Sequence, residues 1–412
     1  MRVLLISPNT ERINMVTIPL GLGQVAAATA RAGHEVGFLD LLGVTDLAGA
    51  VREAIELGRP EAIGISIRNI DDQNAQNPRF LLEQARVVTA ACRAHSTAPL
   101  VLGGAGYSIF PRAALRYLGA DYGIRGDGEA AFPALLEHMR AGLDPRAIPG
   151  VYAAKGGGGR AEAGDLDRLP LWDPALDAYA AAGADTWVPV QSRRGCPNDC
   201  SYCSTALIQG RALRCRSSRL VLETVADLAR RGFRKLFFVD NNFNVPEALA
   251  LELCQGLCAL DAGLAWRCIL YPRAVGETLV QAMAAAGCVE ASVGFESGSE
   301  AILRAMNKHF TPAEVRCATD LLAKHGIRRM GFLLLGGPGE TRETAERSLA
   351  FARSLNLDGL RVTVGIRIYP GTPLHRRAVL DGMVGRDDDL LHPRFYLAPG
   401  LEPWINEAVA GM

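Results

Sequence analysis

Three cysteines fall within one short run, Cys196-Pro-Asn-Asp-Cys200-Ser-Tyr-Cys203, in a C-x3-C-x2-C spacing. Thiolates this close together bind soft metals. Three of them are one short of the four that saturate a tetrahedral zinc or a cubane iron–sulfur cluster. A metal held by three protein ligands keeps one position open, and open positions are where chemistry takes place. The same spacing suits a structural zinc knuckle that takes its fourth ligand from elsewhere. Spacing alone does not separate the two.

Other polar and glycine-rich runs stand where strands should end. They are Ser66-Ile67-Arg68-Asn69-Ile70-Asp71-Asp72, Gly103-Gly104-Ala105-Gly106-Tyr107, Gly126-Asp127-Gly128-Glu129 and Phe238-Val239-Asp240-Asn241-Asn242. Later in the chain come Gly294-Phe295-Glu296-Ser297-Gly298, Leu334-Leu335-Gly336-Gly337-Pro338-Gly339-Glu340 and Arg367-Ile368-Tyr369-Pro370-Gly371-Thr372-Pro373. Any one of them is also an ordinary turn.

Such groups need a scaffold that brings distant segments to one edge. Residues 1–148 alternate apolar runs (2–7, 35–39, 62–67, 100–103, 122–125) with helical patterns near 20–32, 46–57, 79–94, 111–118 and 129–141. That alternation predicts an α/β fold: a doubly wound, Rossmann-like parallel sheet with its ligand crevice at the strand carboxyl ends. Residues 149–185, with a run of glycines from Gly156 to Gly159, read as a linker. From 186 to 374 a second alternation places strands at 187–191, 235–239, 265–270, 290–295, 330–335 and 361–368. Six such units fit a partial (β/α)6 barrel of the TIM type, with active-site groups at the strand carboxyl ends. Residues 375–412 read as a short irregular tail, because Pro393, Pro399 and Pro403 leave little room for a long helix.

Composition narrows the setting. With 49% hydrophobic and 21% charged residues, the 412-residue chain reads as globular. Lysine plus arginine equals aspartate plus glutamate at 44 each, so no global field draws it to nucleic acid or anionic lipid. No apolar run reaches the roughly 20 residues of a membrane helix, and the first apolar run is too short for a signal peptide. Cysteines without the even spacing of a small disulfide framework imply reduced thiols and a cytoplasmic location.

With Tyr202 before its last cysteine, the thiol run resembles the cluster motif of the radical S-adenosylmethionine (SAM) superfamily. That resemblance implies a 4Fe-4S cluster on Cys196, Cys200 and Cys203, its unique iron chelated by SAM, with Tyr202 a catalytic and cofactor-binding neighbour. The strand-end runs follow in the family's order. Asp240, Asn241 and Asn242 stand where the family holds the methionine amino group. Glu296 and Ser297 resemble the segment that contacts ribose or carboxylate, and Gly336 and Gly337 the stretch that approaches the adenosyl moiety. The run from Arg367 matches the sixth-strand ending of the subgroup related to methylthiotransferases.

The first domain resembles the cobalamin-binding domain that precedes many radical enzymes, on Gly103, Gly104, Gly126 and Glu129. Cobalamin proteins that ligate cobalt themselves use Asp-x-His-x-x-Gly. Here His34 and Gly37 keep that spacing, but Ala32 replaces the aspartate. Cobalamin without a histidine ligand is therefore expected. Arg68 is the best candidate to face the corrin's lower side, since a guanidinium offers only donors and cannot ligate cobalt; the alternative is a surface salt bridge to Asp71 or Asp72.

The resemblance implies a cobalamin-dependent radical SAM enzyme, most often a methyltransferase. Methylcobalamin would give its methyl group to a substrate carbon radical made by the 5'-deoxyadenosyl radical. The partners implied are a small-molecule or peptide substrate and a one-electron reductant such as flavodoxin or ferredoxin. Alternatives are a ring-forming or rearranging enzyme without net methylation, and a non-catalytic iron–sulfur/cobalamin sensor. A methylthiotransferase would need a second cysteine trio, and only Cys92 precedes the linker. Cys254 and Cys258, four apart, are read as helical core thiols, Cys215 as incidental, and the arginines between Arg193 and Lys235 as a solvated basic face.

Overall fold

A computed structural model of the protein describes residues 1–11, 18–170, 186–402 and 404–410. The first strand, β1 (Arg2–Ser7), is buried at every residue after Arg2. A strand covered on both faces needs an unbroken apolar run, and helices on either side of a parallel sheet supply that cover. β2 (Glu35–Asp40), β3 (Ala62–Ser66), β4 (Leu100–Gly103) and β5 (Tyr122–Ile124) join it in the parallel order β2-β1-β3-β4-β5. Strand side chains alternate between faces. Val3 and Leu5 accordingly pack with Leu22, Ala26, Phe132 and Leu135 of helices α1 (Leu20–Arg31) and α2 (Gly128–Ala141). Leu4 and Ile6 pack with Val51, Ile55 and Val88, on the opposite face. The strand order reverses between β1 and β3, the switch point at which open α/β sheets bind ligands.

The stretch read as a linker begins by completing this sheet. β6 (Val151–Ala153) pairs antiparallel with β5. Three residues carry no readable periodicity, so the sequence hid it. Residues 171–185 lie outside the described residues.

In the second unit a short hairpin of β8 (Arg193–Arg194) and β9 (Arg214–Cys215) follows β7 (Trp187–Val190). β10 (Lys235–Phe238), β11 (Ala265–Leu270), β12 (Cys288–Glu296), β13 (Arg328–Leu335) and β14 (Gly359–Val364) then build the sheet β7-β10-β11-β12-β13-β14, parallel throughout. Among the described residues β7 and β14 do not pair, and the arc stays open. On β11, Trp266, Cys268 and Leu270 point into the core in alternation. The Trp266 indole donates to Ala286 O at 2.7 Å and packs on Phe238 and Phe243. Truncating such a residue costs about 3–5 kcal/mol. Cys254 is fully buried while Cys258 is exposed, so the two do not share a site.

The strand expected at 361–368 breaks at Gly365, whose φ of 79° suits glycine and where a Cβ would stand 2.9 Å from Ala75 of the first unit. Beyond the break, β15 (Ile366–Arg367) pairs antiparallel with β16 (Phe395–Tyr396), and the tail is therefore ordered rather than irregular. It reaches back across the molecule. Ala398 N donates to Gly336 O at 2.9 Å, the His392 ring lies 4.3 Å from that of Phe80, and Asp389 pairs with Arg116 at 3.1 Å.

Candidate active site

The cysteine run occupies the loop between β8 and β9. Gly195 enters it at φ 88°, and a Cβ there would come within 2.0 Å of Ala212 O, so only glycine fits the turn. The loop is pinned at its middle, where Ser201 N donates to Met306 O and Leu374 N donates to Ser201 O, both at 2.9 Å. Asn242 Nδ2 donates to Cys196 Sγ at 3.4 Å. Burial raises the pKa of Cys196 and of Cys200, and the Lys308 ammonium opposes that rise in both.

The three thiols lie close enough for Cys200 to feel the charge of both others. A cubane places each thiolate on a different iron.

The strand-end residues divide into two kinds. Asp240 is buried, and its carboxylate accepts from Ser192 N and Oγ and from Arg193 N. Asn241 donates to Gly195 O and to Gln209 Oε1. With Asn242, which reaches Cys196 Sγ, they brace the cysteine loop. Ser297 is also turned inward, onto Ser348 Oγ at 2.9 Å. Arg367 is engaged by Asp71 Oδ2 at 2.7 Å and by the carbonyls of Ile368 and Leu390, clasping the two units together instead of facing a cofactor.

Glu296 is the other kind. It sits at φ 58°, left-handed backbone that a non-glycine residue adopts only under constraint, at a register shift between β12 and β13. Its carboxylate meets Lys308 Nζ at 3.2 Å, with side-chain exposures of 13% and 8%. Lys308 Nζ also stands 5.2 Å from the centre of the Tyr202 ring. Tyr202 lies deep in the protein although part of its surface is uncovered. Burial, then the Glu296 charge, drives its pKa well above the ordinary value, so the hydroxyl keeps its proton.

At the end of β13 the amides of Gly336 and Gly337 both donate to Glu340 Oε2. Glu340 is buried, its Oε1 has no partner, and burial lifts its pKa to about 7 against those two amide bonds. A Cβ on Gly336 would meet Leu397 of the tail at 2.4 Å.

A crevice of about 450 Å3 opens at the switch point of the first sheet. Its apolar wall is Leu5, Ile65, Val101, Leu102, Ile124 and Phe132, and Gly103, Gly104 and Gly126 line it where strands end. Gly104 turns at φ 95°, where a Cβ would strike Ile67 O at 2.5 Å. Arg68 projects into the opening. Both alternative partners are taken, Asp71 by Arg367 and Asp72 by Arg79, so the surface salt bridge is not formed. Desolvation inside the crevice lowers the Arg68 pKa although the side chain is uncovered. No histidine lines this wall; His34 lies elsewhere, beside the amino terminus and Glu137. An apolar, glycine-edged slot of this kind suits a cobalamin tail and ring. Glu129 borders it but points its carboxylate at Arg194 of the second unit, a partner that the sequence did not reveal.

The far wall of the crevice comes from the second unit, through Gln191, Arg194, Ile208, Gln209 and Val239. Gln209 Oε1 accepts from Gly195 N at 3.0 Å, so this wall adjoins the cysteine loop. Lys308, Glu340, Asp127 and Arg194 complete the site; Asp127 and Arg194 were missed because they pair 67 residues apart, and Lys308 and Glu340 because their burial comes from the fold rather than from their neighbours in sequence.

Fold and site together define an iron–sulfur radical protein with a cobalamin domain. The B12 binding domain family matches residues 6–136, and the Radical SAM superfamily matches residues 190–352. The chain belongs to the cobalamin-dependent radical SAM enzymes. It is 27% identical over 399 residues to the uncharacterized methyltransferase PH0819 of Pyrococcus horikoshii, covering 93% of this chain and 84% of that protein. Its fold matches the radical S-adenosylmethionine methyltransferase TsrM of Kitasatospora setae, solved with tryptophan substrate and a SAM analogue, at TM-score 0.87 and 23% identity over 99% of this chain and 88% of that one. The cobalamin-dependent radical enzyme OxsB, with aqua-cobalamin bound, matches at TM-score 0.78 and 15% identity over 96% and 64%.

Proposed function

We propose that the protein is a cobalamin-dependent radical SAM methyltransferase that places a methyl group on a carbon atom of a small-molecule substrate. The observation that carries this reading is the shared crevice. Arg68 and the glycines form one wall, while the other is built from residues that adjoin the cysteine loop. When bound, the cluster, SAM and cobalamin supply electron input, radical generation and methyl carriage. The chain's own part is to hold them. Cys196, Cys200 and Cys203 take three irons of a 4Fe-4S cluster. Glu296 and Lys308 present a carboxylate beside an ammonium, the complement of the amino and carboxylate groups of SAM. Arg68, which lines the crevice, would present to cobalamin a group that cannot ligate cobalt.

The methyltransferase names of TsrM and PH0819 support this choice over ring formation. A one-electron reductant of the flavodoxin or ferredoxin kind belongs to the proposal. A reducing compartment does too, since all ten cysteines are free. No helix among the described residues is long and apolar enough to cross a membrane.

The test is reconstitution with iron, sulfide and cobalamin, followed by turnover with methyl-labelled SAM over candidate small molecules, aromatic amino acids among them. Label in a carbon-bound methyl group, together with S-adenosylhomocysteine, is expected. Substrate conversion without label in the product would establish the ring-forming alternative instead.

A further inference from the structure

The hairpin that carries the cysteines is gripped from the other domain by a buried cluster of charges. Arg194 lies on β8, two residues before Cys196, and Arg214 lies on the partner strand β9. Arg194 donates to Asp127 Oδ1 at 2.9 Å, to both oxygens of Glu129, and to Gln24 Oε1 at 2.8 Å. Arg214 donates to Asp127 Oδ2 at 2.5 Å, and the same oxygen accepts from Ala163 N at 2.8 Å. Two cations and two anions thus balance, with no side chain more than 10% exposed.

All three first-domain partners, Gln24, Asp127 and Glu129, also line the crevice. The clasp therefore joins the wall of one cofactor site to both strands of the loop that forms the other.

Buried ion pairs are poor stabilisers, because desolvation offsets their attraction, and a greasy contact of equal size would hold two domains as firmly. What a guanidinium fork adds is direction. It donates to its carboxylates in fixed planes and at fixed distances, whereas apolar surfaces slide. We infer that Asp127 and Glu129 are positioning residues: through Arg194 and Arg214 they set the distance and orientation between the cysteine loop and the cobalamin crevice. The cobalt half of this inference rests on the proposed function; the mechanical half does not.

The mechanical half is tested on the cofactor-free protein by amide hydrogen exchange. Glu129→Gln and Asp127→Asn each leave an arginine short of one buried charge, and both changes lie in the first domain. Amides of 195–204 in the second should then exchange about tenfold faster or more. Leu253→Ala, a core truncation remote from the clasp, should lower thermal stability yet leave that segment's exchange as it was. Unchanged exchange at 195–204 in both clasp variants overturns the inference, as does an equal rise with Leu253→Ala.

In the loaded protein, the distance between the cob(II)alamin spin and the reduced cluster spin should be narrow in the wild type and broad in Glu129→Gln. Equal widths reject the cobalt half. A wild type that binds no cobalamin defeats the functional reading and the cobalt half with it, while exchange still decides the clasp.

Discussion

Asn242 Nδ2 donates to Cys196 Sγ across 3.4 Å, from the strand end that also braces the loop through Asp240 and Asn241. A hydrogen bond to a cluster sulfur stabilises the reduced, more negative state. Asn242→Leu should therefore lower the cluster's midpoint potential by about 40 mV, the one-electron equivalent of a ~1 kcal/mol hydrogen bond. Potentiometric titration followed by electron paramagnetic resonance measures it. An unshifted potential would mean that the contact is lost once iron binds.

Lys308 and Glu296 form a nearly buried pair, so removing one member leaves a charge alone. Lys308→Met should cost about 3–5 kcal/mol in denaturant unfolding, whereas adding Glu296→Gln to it should restore most of that loss. If the double variant is no better than the single one, the two side chains are not coupled.

Arg68→Ala should keep its full cluster iron and admit water to the lower side of cobalt, altering the visible spectrum of bound cobalamin and slowing methyl transfer. Arg68→Lys should rescue poorly, because a compact ammonium does not cover the area of a planar guanidinium. Cob(II)alamin bound to the wild type should show no nitrogen splitting from an axial imidazole. Wild-type rates and spectra in both variants would remove Arg68 from the cobalt site.

Glu340 titrates near neutrality for want of solvent, its folded pKa raised to about 7 from 4.5. A carboxyl raised in the fold binds more protons folded than unfolded between those values, so stability falls as pH rises through that window. The loss should approach roughly 3 kcal/mol above pH 7. Glu340→Gln should flatten this part of the stability–pH curve. A variant with the wild-type slope between pH 4.5 and 7 would show that Glu340 is charged throughout.

Much of this architecture was legible in the residues. β1 betrayed its burial by lacking alternation, and the order of apolar runs gave both parallel sheets. The cysteine loop was readable because its three cysteines are neighbours in sequence. What stayed hidden depends on distant partners. Asp240 and Ser297 were placed on a cofactor because strand ends usually face one, but Ser192 and Ser348 draw them inward. The tie of Arg367 to Asp71 was equally hidden, the two lying 296 residues apart. The arginines between Arg193 and Lys235 suggested a solvated face, yet Arg193, Arg194 and Arg216 are buried. β6 and β16 were too short to leave a pattern.

The pairing of β15 with β16, with Ala398 bound to Gly336 and Arg367 to Asp71, carries a lesson about assembly. Domains generally fold in the order in which they are synthesised, so the first sheet can close long before residues 366–398 exist. Until they arrive, the loop below Arg68 lacks its anchor and the glycine turn at the end of β13 lacks its cover. The tie between the two units is completed by the part of the protein made late. Every residue seen to line the crevice, the last of them Val239, is made before that point, so a nascent chain stalled before residue 366 should already hold the crevice while still lacking the Asp71–Arg367 tie between the two units.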